Sequence, residues 1–162
     1  MAVAVLAGCG SSGANPSPAP TAQAISLGGC ILHISVDLSA APTYTIPKCN
    51  SMPQTLTSLV VVQGVGAPIT VGQNVTTQYV AYDWTTGKQV ASSWTDGKPM
   101  KVTNIGQNLT VPPGINFTLT GKNGGGRYVL LIPPDMTGDH KVPGVGDDDT
   151  LLYIADPAAP VT

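Results

Sequence analysis

Cysteine, histidine and aspartate are the side chains of this 162-residue chain whose types could most directly do chemistry. Cys9, Cys30 and Cys49 form no CxxC pair, and His33 and His140 are not clustered with them, so the spacing gives no metal site. Asp147-Asp148-Asp149 could offer carboxylate oxygens to calcium, but it lacks EF-hand spacing and reads as a solvated acidic loop. No Ser-His-Asp or Cys-His arrangement stands out, which leaves hydrolytic chemistry with little support. His33 alternates away from Leu32, Ile34 and Val36 and reads as a surface residue, and His140 reads as an exposed loop residue. No cofactor and no metal is expected. What remains is apolar chemistry, and the stretch Val111-Pro112-Pro113-Gly114-Ile115-Asn116-Phe117 poses it best. That stretch could be a turn, the start of a helix, or the floor of a binding pocket.

The elements that must position such a pocket follow from composition. All nine acidic residues are Asp, and the net charge of -2 gives no electrostatic case for nucleic acid or an anionic membrane surface. Thr, Val, Gly and Pro dominate, which favours pleated strands and turns over helix. Residues 30–37 partly alternate as a strand, and Pro42, Pro47 and Pro53 then cut the chain into short extended pieces, an arm over 29–52. From Leu56 the rhythm is regular. Strands are expected at 56–62, 75–82, 89–94, 127–132 and 150–155, with a Gly-rich turn after the first and a hairpin loop over 83–88. Between Pro112 and Thr120 one short helix is expected, because proline fits the first helical turn, where its missing N–H has no partner anyway.

The N-terminus carries a different signal. Leu6-Ala7-Gly8-Cys9 resembles the bacterial lipobox, in which the Cys becomes the lipidated N-terminus after cleavage. A Ser-, Ala- and Pro-rich run follows and reads as an extended, disordered linker over 10–28. No Lys or Arg precedes Cys9, so 1–9 is expected to be a truncated signal whose true start lies upstream. A diacylated Cys9 would supply two chains, enough for stable anchoring. Export implies an oxidising compartment in which Cys30 and Cys49 would pair, a bond worth about 3 kcal/mol on the chain-entropy view. Two free thiols are the alternative. Three Asn-x-Thr triplets, at Asn74, Asn108 and Asn116, fit a glycosylation pattern, but Thr-rich strands generate such triplets by chance.

The order of motifs resembles the FKBP-type peptidyl-prolyl cis-trans isomerases over roughly Pro53 to Pro157. Val65-Gly66 with Val71-Gly72-Gln73-Asn74-Val75 resembles the family's opening "G-x-G, then V/x-x-G-D-x-V". Gln78-Tyr79-Val80 resembles "H-Y-V/T", and Gly87-Lys88-Gln89-Val90-Ala91-Ser92-Ser93 resembles "G-K-x-F-D-S-S". Gly97-Lys98-Pro99-Met100 resembles "x-x-P-F", and Val111-Pro112-Pro113-Gly114-Ile115 resembles "V-I-P-G-W". Gly125-Gly126-Arg127 through Ile132-Pro133-Pro134 resembles "G-x-R-x-x-L-x-I-P-P", and Asp149-Thr150-Leu151-Leu152-Tyr153 resembles "A-T-L-V-F". Seven motifs in order across about 100 residues exceed what strands and turns produce by chance.

The resemblance implies an α+β, mainly β fold: an antiparallel sheet wrapped around one short helix, spanning 53–157, with the arm before it and a tail over 158–162. It implies catalytic contacts from Tyr79 and Tyr153, and a substrate-binding pocket lined by Val90, Ala91, Met100, Val111, Pro112 and Ile115. Several of these depart from the family. Val90 and Ala91 stand where it has Phe-Asp, Met100 where it has Phe, and Ile115 where it has the Trp of the floor. Pro112 stands where the family's Ile offers a backbone N–H to ligand carbonyls. The pocket is therefore expected to be apolar, wide and weakly active. Trp94 and Phe117 are expected to fill the barrel. The implied function is a monomeric prolyl isomerase or folding helper of the cell envelope, lipid-anchored outside the cytoplasm. Its substrates would be unfolded or proline-containing exported polypeptides. A non-catalytic FKBP-fold module binding peptides or a protein partner is the alternative.

Overall fold

The structure, a computed structural model, describes residues 21–27, 29–45, 53–107, 111–137, 140 and 142–161. Cys9 and Cys49 lie outside them, and so does the lipobox. Nine strands, two short α-helices and one 3-10 turn (Pro134–Met136) are present among the described residues: β1 (Ala22–Leu27), β2 (Cys30–Ser35), β3 (Tyr44–Thr45), β4 (Thr57–Val62), β5 (Val75–Asp83), β6 (Gln89–Ser92), α1 (Ser93–Asp96), β7 (Met100–Val102), α2 (Pro113–Leu119), β8 (Arg127–Ile132) and β9 (Leu151–Pro157). The main sheet runs β4-β8-β9-β5-β6, and β7 pairs with the first half of β5. All its pairings are antiparallel.

The apolar run of β8 explains its place. Every residue from Arg127 to Ile132 is buried, as befits a strand covered on both faces. Its alternation then feeds two separate cores. Tyr128, Leu130 and Ile132 point to the inner face, where α2 packs, whereas Val129 and Leu131 point to the outer face. β5 and β9 divide in the same way. Ala81, Tyr153 and Ala155 face inward, and Val80, Tyr82, Leu152 and Ile154 face outward.

The outer face is covered by a second sheet, ordered β1-β2-β3. Ile25, Leu27, Leu32 and Ile34 supply its apolar side, while His33 on the opposite side is exposed, as its alternation predicts. Tyr44 lays its ring against Tyr82, with centroids 4.2 Å apart. The two sheets are also joined through the buried Arg127, which is paired with Asp156 inside the main sheet. Arg127 donates from Nε to Asp156 Oδ1 at 2.9 Å and from Nη2 to Oδ2 at 2.7 Å. Its remaining donors reach the arm: Nη1 to the Ser35 carbonyl at 2.8 Å and Nη2 to the Ala40 carbonyl at 3.0 Å. Burial pushes the Asp156 carboxyl up, and the Arg127 guanidinium beside it works against that shift.

Three details differ from the sequence expectation. The arm begins at Ala22, inside the span 10–28 read as linker, because Ile25 and Leu27 alternate onto the outer core. The strand expected over 89–94 stops at Ser92, whose side chain accepts the Thr95 N–H and starts the single turn α1, which Gly97 closes at φ +64°. The tail is tied to the sheet, since Ala158 N–H donates to the Thr76 carbonyl and Val161 forms a bridge with Asn74.

Candidate functional site

The inner core collects nearly all of the residues expected to form a pocket. Val111, Ile115 and Tyr153 are buried members, and Tyr79, Val90, Ala91 and Met100 are half-buried and packed against them. Pro112 is buried at the entrance to α2, and its carbonyl accepts the Ile115 N–H at 2.9 Å. The stretch from Val111 to Phe117 is therefore a helix entry whose Val111 and Ile115 pack into the inner core. Proline precedes the helix and occupies its first position, and Ile115 and Leu119, one turn apart, turn toward the sheet.

Tyr79 and Tyr153 meet at this site with ring centroids 5.7 Å apart and planes tilted by 44°. Burial raises the pKa of Tyr79, and the Asp96 carboxylate adds to the effect. Burial also raises the pKa of Tyr153, with Tyr79 adding to it. Both hydroxyls therefore stay protonated at neutral pH and can act as donors. Ser93 fixes the backbone at Tyr79, a role the sequence did not reveal. Its Oγ accepts the Tyr79 N–H at 2.8 Å and donates to Gln78 Oε1 at 2.5 Å. The helical turn that brings Ser93 back onto β5 has no periodic signal in four residues.

The aromatic expectations fare differently. Phe117 is 53 % exposed, and Trp84 and Trp94 belong to the outer core, so none of the three fills the inner face. Phe117 lies two residues from Ile115, roughly 200° around the helix, and so points away from the sheet. Trp94 follows the strand end at Ser92, where α1 takes over from the pleat. The cluster is therefore aliphatic around its two tyrosines.

A cleft of about 250 Å³ opens at the edge of this core, lined by residues of the 134–149 loop and by Leu151. It shares Val142, Val145 and Leu151 with the inner core, but Tyr79, Val90, Ala91 and Met100 do not line it. His140 stands half-buried on its wall, not exposed as expected. Asp149 accepts the Thr85 hydroxyl and the Gly146 N–H, the latter at 3.1 Å, so its carboxylate is spent on holding the loop. Among the described residues no group of three or more His, Cys, Asp or Glu could hold a metal, and no helix is long and apolar enough to cross a membrane.

Comparison with known proteins bears on what this arrangement is. The family model described as FKBP-type peptidyl-prolyl cis-trans isomerase matches residues 66–154, more than half of the chain. The chain belongs to the FKBP-type peptidyl-prolyl cis-trans isomerase family. The N-terminal domain of FKBP42 from Arabidopsis thaliana superimposes with a TM-score of 0.60 at 15% identity, over 72% of this chain and 97% of that one. FkpA from Escherichia coli gives a TM-score of 0.55 at 27% identity, over 65% of this chain and 47% of that one. A multi-domain immunophilin from Arabidopsis thaliana gives 0.59 at 16% identity, over 70% of this chain and 47% of that one. This chain thus matches under half the length of the last two. No curated protein matches the sequence. Members of the FKBP family are peptidyl-prolyl isomerases, and the match takes in β5 through most of β9, the elements that carry Tyr79, Ile115 and Tyr153.

Proposed function

We propose that this protein is a weak peptidyl-prolyl cis-trans isomerase or folding helper that holds X–Pro segments against the inner face of its sheet. The observation that carries the reading is the gathering of Tyr79, Tyr153, Val90, Ala91, Met100, Val111 and Ile115 in one apolar cluster within an FKBP-family fold. Rotation about the peptide bond faces a barrier of about 18–20 kcal/mol because the amide loses resonance. Isomerisation needs no nucleophile. It needs a dry surface that favours the twisted amide over either planar form, since water on the carbonyl stabilises the planar, charge-separated one. Aliphatic walls exclude water, and the neutral tyrosines supply aromatic contact for the proline ring.

Weak turnover follows from what the same positions lack. Pro112 has no N–H to give a ligand carbonyl, Ala91 has no carboxylate, and Ile115 offers less surface than the aromatic floor of the family. These features also favour a second reading, an FKBP-fold module that binds peptides or a protein without turnover. A protease-coupled prolyl isomerisation assay separates the two. The first reading expects a rate above background that falls with Tyr79→Ala, and no rate from the folded protein would leave only the second.

The cellular setting belongs to the same proposal. Cys9 is the lipidated residue, Cys30 and Cys49 form a disulfide, and the protein acts as a monomer outside the cytoplasm on exported, proline-containing polypeptides. The lipobox-like Leu6-Ala7-Gly8-Cys9 and the Pro-rich run behind it support this setting. Expression with the natural upstream sequence should give a membrane-bound product carrying the mass of a diacylated Cys9, and unchanged mass on Cys9→Ser would remove the anchor.

A further inference from the structure

The inner face of β5 reads Val75, Thr77, Tyr79, Ala81, and one of these four is out of place. Thr77 is 1% exposed, and its hydroxyl has no hydrogen-bond partner among the described residues. Such a group is destabilising where it stands, and valine would fill the same volume in a strand without that cost. Packing therefore does not explain the hydroxyl.

The register shows what lies around it. Thr77 stands directly opposite Met100 on β7 and Pro157 on β9, and directly opposed residues of antiparallel strands project to the same face. Neither neighbour offers a good side-chain partner. Tyr79 lies two residues along on the same face. Met100 is half-buried, and its unbranched thioether is the kind of side chain that can swing aside. An unpartnered hydroxyl thus sits beside a movable side chain, two residues along the strand from the tyrosine of the candidate site.

We infer that Thr77 Oγ1 is a substrate anchor, donating a hydrogen bond to a peptide carbonyl once a bound prolyl segment displaces Met100. This rests on the prolyl-peptide reading above and adds a residue to it. The hydroxyl supplies the donor that Pro112 cannot. Its acceptor is the carbonyl of the proline residue itself, not that of the X–Pro bond, because a donor on the latter would stabilise the planar amide and oppose rotation. An anchor remote from the twisting bond holds ground state and transition state alike, so it acts on KM and leaves kcat unchanged.

Thr77→Val and Thr77→Ser test this, with a blocked Leu-Pro tetrapeptide as the probe for both binding and turnover. Thr77→Val should weaken peptide affinity about five- to tenfold, raise KM by the same factor and leave kcat unchanged. It should also raise the melting temperature by roughly 2–4 °C, because an unpaired buried hydroxyl is removed. Thr77→Ser should bind as the unsubstituted protein does. Equal binding by Thr77→Val, or a loss confined to kcat, overturns the anchor and leaves the prolyl-peptide reading in place. No binding of the peptide by the unsubstituted protein overturns both.

Discussion

Gly114 sets how close α2 can come to the sheet. A Cβ built there would stand 2.6 Å from Ile132 Cγ2 and 3.0 Å from Leu56 Cδ1, closer than real side chains pack. Ile132 lies on fully buried β8 and has little room to retreat. Gly114→Ala should therefore destabilise the protein by about 1–3 kcal/mol, read as a lowered urea midpoint, even though alanine is the better helix former. Ile115→Ala should cost more, about 2–5 kcal/mol, since Ile115 is fully buried in the inner core. A loss under 1 kcal/mol for both would mean that α2 is not held against β8 as described. At this scale the sequence was informative where a motif fixed both identity and spacing. Tyr79, Tyr153, Val90, Met100 and Ile115 could be named as candidates because each sits at a set distance from a glycine, proline or strand end, and they pack in one cluster. Thr77 and Ser93 were not. A threonine in a Thr-rich strand carries no mark of being unpaired, and Ser93 acts through a turn of four residues.

The N-terminal strands change what the FKBP-type sheet is at the level of elements. Their cover makes the outer face a second core, and Arg127 crosses between the layers with its guanidinium held by Asp156, Ser35 and Ala40. Breaking a buried pair leaves a charge without compensation, whereas replacing both partners by apolar groups does not. Arg127→Met should thus cost about 3–5 kcal/mol, and adding Asp156→Leu should recover a large part of it. A double variant as unstable as the single one would show that the carbonyls of Ser35 and Ala40, not Asp156, are what Arg127 mainly serves. The strands of the main sheet other than β7 were legible because alternation and turn residues agree along them, and β8 because its apolar run is unbroken. The arm was legible only in its second strand. β1 has two core side chains, Ile25 and Leu27, and its place comes from pairing with β2 rather than from its own pattern.

Across the whole molecule, one strand layer serves two cores, and its tyrosines report on both. Tyr153 and Tyr79 lie on the inner side and Tyr82 on the outer side, and the pKa of each is raised chiefly by burial. In the unfolded chain these phenols ionise near about 10. Below that pH both states hold the protons, and the stabilising contribution is complete. As pH rises above it, the unfolded chain releases protons that the folded one retains, so unfolding gains ground until the folded groups ionise in turn. Stability should therefore be level from about pH 7 to 9 with respect to these groups and decline beyond about 10. Burial is the leading cause of the raised Tyr153 pKa, and that group alone sets a slope of about 1.4 kcal/mol per pH unit over that range. Tyr153→Phe removes its proton from both states, so urea midpoints measured from pH 9 to 11.5 should fall more gently in the variant, by about one proton's worth of slope. Parallel curves for the two proteins would mean that water reaches the Tyr153 hydroxyl in the folded state. The inner face would then be too wet for the desolvation that the proposed prolyl isomerisation requires.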